Sequence, residues 1–285
     1  MIEEKLICLE MDDVSGRDKG KGRWAKLEDY VYYRDFLRDI GAFVTIAIEP
    51  QNASGQVMKF LSENREQFLP TVHGTNKYGH YGGVKREWQL REQWEWSVKK
   101  IQEYGFDMGL DGNRIFIPPM HMISDAAIDV LHNYGVKVIG SSSNNFPLGS
   151  KEVRNSKGEV VYRLAENIQA YTQYRGVHFY KRFRPWMLSA GIYNLEGIMD
   201  GIYKIKEVSK RSQFINGSYN RFLALCVRDF KEKCLDGDSI FYAHEINIGG
   251  ERPFMQILEI IASNWLFDNV RFVDAKEFTS KYITI

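Results

Sequence analysis

Short apolar runs alternate with longer stretches of helical periodicity along most of this chain. Lys5–Met11 (KLICLEM) is almost continuously apolar and predicts a buried strand. Leu27–Ile40 repeats apolar and aromatic residues at helical spacing, and Gly41 follows as a stop signal. Phe43–Glu49 predicts a strand closed by Pro50, Val57–Phe60 lies in a short helix, and Phe68–Val72 predicts a third strand. Arg86–Tyr104 predicts a long helix ended by Gly105, and Arg114–Ile117 a strand stopped by Pro118 and Pro119. Ser124 is placed to cap a helix that runs to Tyr134, with Gly135 at its end and strand Val136–Ile139 beyond.

Strands that alternate with helices in this way pair in parallel, because each helix carries the chain back along the sheet. The expected fold class is therefore α/β: a distorted, TIM-like (β/α) barrel of about seven strands. Residues 150–190 break the rhythm and predict an insertion, with Glu152–Arg163 forming a hairpin that turns at Lys157-Gly158. Helices at Leu195–Ser209, Tyr219–Cys234 and Pro253–Trp265, and strands at Ser239–Ala243 and Val270–Val273, restore the rhythm. No repeat or linker interrupts it, so a single domain over residues 1–285 is expected.

Composition narrows the classes. The 285 residues are 44% hydrophobic and 26% charged, which suits a folded chain with a large core. Lys and Arg total 38 against 37 Asp and Glu, and a net charge of +1 argues against a general nucleic-acid binder. The three cysteines (Cys8, Cys226, Cys234) lack close metal-ligand spacing and read as reduced thiols. Neither an export signal nor a run of ~18–20 apolar residues is visible, so the expectation is a cytoplasmic protein without a membrane span.

The chemistry is concentrated at the predicted strand ends, where α/β folds place reactive groups. The first strand ends in Asp12-Asp13 and the third in His73-Gly74, with His80 seven residues after His73. The fourth ends in Pro118-Pro119-Met120-His121, and a late strand ends in His244-Glu245. An aspartate with two imidazoles is a ligand set for a divalent metal such as zinc, which polarises a carbonyl and lowers the pKa of water towards ~7. Each piece has a plainer reading. An Asp pair also caps turns, histidines in a glycine-rich loop also face solvent, and His244 after an apolar strand also fits a core position. His121 suits a helix cap as well as a substrate contact.

Taken in order, the set resembles the polysaccharide deacetylase family, carbohydrate esterase family 4 or the NodB homology group. That family carries an Asp-Asp pair, a spaced histidine pair, a proline-containing stretch and a late histidine after successive strands. The resemblance spans about residues 5–275. It implies Asp12 as general base, Asp13, His73 and His80 as metal ligands, and His244 as general acid. The implied reaction removes an acetyl group from an N- or O-acetylated sugar of a surface polysaccharide or its precursor, with Zn²⁺ as the expected metal. The departures are specific. His73 and His80 are wider apart than the usual four or so residues. The usual Arg-x-Pro reads Phe116-Ile117-Pro118-Pro119, with Arg114 earlier, and Val14-Ser15 separate the Asp pair from Gly16.

Aromatic residues make up 14% of the chain, and Tyr171, Tyr174, Phe179, Tyr180, Phe183 and Trp186 crowd one region with Arg175, Arg182 and Arg184. Flat apolar faces with polar edges suit pyranose rings, although core packing also consumes aromatics. The expected substrate contacts are Tyr174 and Trp186 here, with Arg114, Pro119 and His121 around the proline-containing stretch. Two rival functions remain at this point. One is a glycoside hydrolase that uses Asp12 and Glu245 as its carboxylate pair. The other is a non-catalytic carbohydrate-binding relative.

Overall fold

The computed structural model describes residues 4–16, 25–74, 87–108, 114–119, 123–141, 152–154, 160–163, 173–181, 238–245, 248 and 270–280. The first half is a run of strand–helix units: β1 (Lys5–Val14), α1 (Leu27–Asp39), β2 (Val44–Ile48), α2 (Gly55–Glu63), β3 (Phe68–Val72), α3 (Glu87–Glu103), β4 (Arg114–Phe116), α4 (Asp125–Asn133) and β5 (Val136–Ser141). Two hairpins follow, β6 (Glu152–Arg154) with β7 (Val160–Arg163), and β8 (Gln173–Tyr174) with β9 (Val177–Lys181). The last described elements are β10 (Ser239–His244), β11 (Val270–Val273) and α5 (Ala275–Ser280).

Seven strands in the order β10-β1-β2-β3-β4-β5-β9 run parallel and curl into a half-barrel, a distorted (β/α) barrel. β8 adds an antiparallel edge beside β9, and β11 pairs in parallel with Lys5–Cys8 of β1. All five residues of β2 are buried, as expected of a parallel strand covered on both faces. Tyr30, Tyr33 and Leu37 of α1 recur at helical spacing and bury one stripe against the sheet. Trp94 of α3 is 1% exposed and meets Phe116 of β4 edge-on, with ring centres 6.1 Å apart. Burial of each such side chain contributes roughly 1.5–3 kcal/mol, so the core ties the helices firmly to the strands. Ser124 caps α4 by accepting the Ala127 N–H at 3.2 Å.

The hairpin expected over Glu152–Arg163 is present as a separate two-stranded sheet. The region expected as insertion extends less far, because Val177–Lys181 pairs with β5 and belongs to the barrel sheet. The helices expected at Leu195–Ser209, Tyr219–Cys234 and Pro253–Trp265 lie outside the described residues, as do His80, His121 and Trp186. No helix among the described residues is long and apolar enough to cross a membrane.

Candidate active site

The carboxyl ends of the central strands are laced to one another beyond their regular pairing. The Glu49 N–H donates to Val14 O at 2.9 Å, the His73 N–H to Ile48 O at 3.1 Å and the Ile117 N–H to Val72 O at 3.4 Å. These bonds tie the residues that follow β2, β3 and β4 to the last residues of β1, β2 and β3. On the other side of β1, Asp12 stands directly opposite His244 of β10.

β1 runs further than its apolar pattern suggests, through Asp12 and Asp13 to Val14, and reaches that length through a bulge. Its register against β2 shifts between Met11 and Val14, and Asp13 takes a positive φ of 61°. A bulge breaks the two-residue alternation and re-aims side chains, and Asp tolerates the left-handed region better than most residues. Asp12 is 2% exposed, whereas the Asp13 side chain is 32% exposed at the sheet end.

Asp13 presents one carboxylate oxygen to each of two histidines. Its Oδ1 lies 3.0 Å from His73 Nε2, and its Oδ2 lies 3.6 Å from His244 Nδ1. His73 is buried, and its Nδ1–H donates to Ile117 O at 2.9 Å. This assignment of the tautomer follows from the carbonyl, which can only accept. Burial lowers the His73 pKa, but Asp13, Asp12 and Glu49 outweigh it, and the net shift is upward.

The chemistry of these donors fits a divalent cation. With the Nδ1 proton committed to Ile117, a neutral His73 turns a lone pair from Nε2 towards the Asp13 carboxylate. Two acceptors at 3.0 Å require a positive species between them, either a second proton on the ring or a metal. A metal-binding histidine that donates its other ring N–H to a backbone carbonyl is the usual supporting arrangement. Asp13 and His73 therefore fit as two ligands, and the third expected ligand, His80, lies outside the described residues. Among the described residues, no group of three or more His, Cys, Asp or Glu side chains is arranged to hold a metal.

Other expected site residues fall elsewhere. Arg114 opens β4 opposite Val136, the first residue of β5, and so sits at the amino end of the sheet. Tyr174 pairs with Val177, the first residue of β9, and lies at that same far end. The cause is a tight turn: Arg175 and Gly176 have φ of 49° and 79°, and this two-residue loop reverses the chain before β9 begins. The backbone of Arg114 and of Tyr174 thus lies at the opposite end of the sheet from Asp13 and His73. Pro119 follows Ile117 at the correct end but is buried.

Two residues matter more than the sequence suggested. Glu49, at the carboxyl end of β2, adds a third carboxylate to the field around His73 and accepts from Asn52 Nδ2 at 3.2 Å. Its position after a strand was the available signal. Glu245 is fully buried, and its carboxylate accepts from Ser15 N–H, Ser15 O–H, Gly16 N–H and Tyr30 O–H. A carboxylate enclosed in this way cannot flank a sugar bond, which removes the proposed Asp12–Glu245 glycosidase pair.

Solved structures share this fold. A family 4 acetyl xylan esterase from Clostridium thermocellum, in complex with a cobalt ion, superposes with a TM-score of 0.50 at 15% identity, covering 98% of this chain and 93% of that one. A Mycobacterium smegmatis protein assigned as a polysaccharide deacetylase gives 0.57 at 8% identity, covering 99% and 92%. The fold is that of the family 4 carbohydrate esterases. It is shared with a mutant of a family 4 pseudoenzyme from Bacillus anthracis with restored enzymatic activity, at TM-score 0.51 and 9% identity over 96% of this chain and 67% of that one. No family model matches the chain, and no curated protein matches it in sequence.

Proposed function

We propose that this chain is a divergent family 4 carbohydrate esterase, a divalent-metal-dependent deacetylase of N- or O-acetylated sugars. The observation that carries the reading is Asp13, turned by the β1 bulge so that its two oxygens meet His73 and His244 at the carboxyl end of the barrel. Asp13 and His73, with His80, would hold the ion, and zinc is the ion best suited to this donor set. A bound divalent ion supplies Lewis acidity towards the acetyl carbonyl and lowers the pKa of water. The chain's own groups handle protons and geometry. Asp12, next to Asp13 and opposite His244, acts as the base that takes the proton from water. His244, a quarter exposed at the sheet end, gives a proton to the departing sugar nitrogen or oxygen. Ile117 keeps His73 in the tautomer that leaves Nε2 available.

The test is acetate release from N-acetylated and O-acetylated oligosaccharides, with and without chelator. Chelator-sensitive release that disappears in Asp13→Ala is the expected result. Sugar binding without turnover in the metal-loaded protein would replace this reading with that of a non-catalytic relative, a class the shared pseudoenzyme fold makes concrete.

A further inference from the structure

We propose that Glu245 is a positioning residue that clamps the turn after Asp13 to the strand bearing His244, and so sets how Asp13 and His244 meet. The regular ladder between β1 and β10 ends at the pair Asp12–His244. Immediately beyond, at Asp13, the backbone takes a positive φ and the register of β1 against β2 shifts. The Glu245 side chain takes over from the ladder. Its Oε2 accepts the Ser15 N–H at 3.2 Å and the Ser15 hydroxyl at 3.1 Å, and its Oε1 accepts the Gly16 N–H at 2.6 Å and the Tyr30 hydroxyl.

The turn is held from two further sides. Ser15 O accepts the Ser54 N–H at 2.6 Å, and Gly16, at φ 59°, lies so close to Val57 that a Cβ would come within 2.3 Å of it. The anchor points are therefore one residue from His244 and two from Asp13. A purely apolar side chain at 245 would leave two backbone N–H groups and two hydroxyls without their acceptor. Glutamine would aim an NH₂ group at donors that it cannot satisfy. The contacts themselves carry the clamp, and only its kinetic consequence rests on the deacetylase reading.

The experiment compares imidazole ¹⁵N shifts of His73 and His244 in the full wild-type chain and in Glu245→Gln, both without metal, alongside thermal unfolding and the turnover of the zinc-supplemented proteins. A clamp moves both histidine shifts in the folded variant. It also lowers kcat on the order of a hundredfold while KM stays within about twofold, as expected when catalytic groups are misplaced by about an ångström. Wild-type shifts with only a lower Tm would overturn the proposal, because a residue that merely stabilises the fold leaves the Asp13–histidine geometry untouched. Where Glu245→Gln does not fold, Tyr30→Phe removes one of the four donors and carries the same test. Moved shifts of smaller amplitude support the clamp, and unchanged shifts overturn it. A wild-type protein that releases no acetate overturns the deacetylase reading alone, since the shift comparison still decides the clamp.

Discussion

Two carboxylates mark the same end of the barrel and live in opposite surroundings. Asp13 stands at the mouth, a third exposed, on a backbone in the left-handed region, with histidines as its ring-bearing neighbours. Glu245 lies at the root, fully buried, with four donors closed around it. The first is arranged to meet something from solvent, and the second is arranged to meet nothing further. Charge and position after a strand are therefore insufficient to name a catalytic carboxylate. The partners that each carboxylate meets, histidines for Asp13 and four closed-in donors for Glu245, separate the two.

The comparison can be broken most severely at the root. Glu245→Ala should strand four donors in the core and cost about 3 kcal/mol or more, since each unsatisfied buried group costs about 1–3 kcal/mol. Denaturant unfolding measures it, and a loss below about 1 kcal/mol would show that water replaces the carboxylate.

Titration sharpens the contrast next. Burial pushes the Glu245 carboxyl up to about 7 from its ordinary 4.5, against the opposing pull of Tyr30, Gly16 and Ser15. The folded state thus holds this proton more tightly than the unfolded chain. The associated stability is complete below pH ~4.5 and is lost as pH rises through about 7, by about 3 kcal/mol at most. His73, whose pKa is also raised, contributes with the same sign through its own titration range. Unfolding free energy should fall from pH 5 to pH 8, and Glu245→Gln should flatten that slope. A variant with the wild-type slope would mean that Glu245 stays ionised throughout.

Gly16→Ala comes third. The new Cβ meets Val57 at 2.3 Å and the backbone stays at φ 59°, so a loss of about 1–3 kcal/mol is expected. Val57→Ala added to it should recover the steric part only. The smallest effect belongs to the far end of the sheet. Tyr174→Ala and Arg114→Ala should leave KM for acetylated sugars unchanged, because both residues lie at the amino ends of their strands or beside one. A large rise in KM would return them to the site.

Much of this arrangement was legible from hydrophobic pattern alone. Phe68–Val72 and Val270–Val273 are strands at those bounds, and Ser124 caps α4. Those segments obey local rules: an apolar run between breakers, a hydroxyl before a helix. His73 stands just past β3 as the apolar pattern expects, whereas the Asp pair lies within β1, which runs on to Val14. What escaped depends on chain reversal and long-range partners. Arg175-Gly176 lacks the Asn-Gly or Asp-Gly signature of a two-residue turn, so nothing local shows that Tyr174 stands at the amino end of β9. The bulge at Asp13 reflects pairing with β2, which no local pattern encodes. Glu245 acquires its meaning from Ser15, Gly16 and Tyr30, more than 200 residues away in sequence.

The proposed metal site stands at the mouth, where Asp13 and His73 face each other across 3.0 Å and the His73 Nδ1–H is committed to Ile117 O. Metal analysis of purified wild-type chain and of Asp13→Ala, by elemental content and by equilibrium dialysis against zinc and cobalt, tests it directly. One divalent ion per wild-type chain is expected, with an affinity lower by at least about a hundredfold in the variant. Equal metal content and affinity in the two proteins, or none in either, would contradict it.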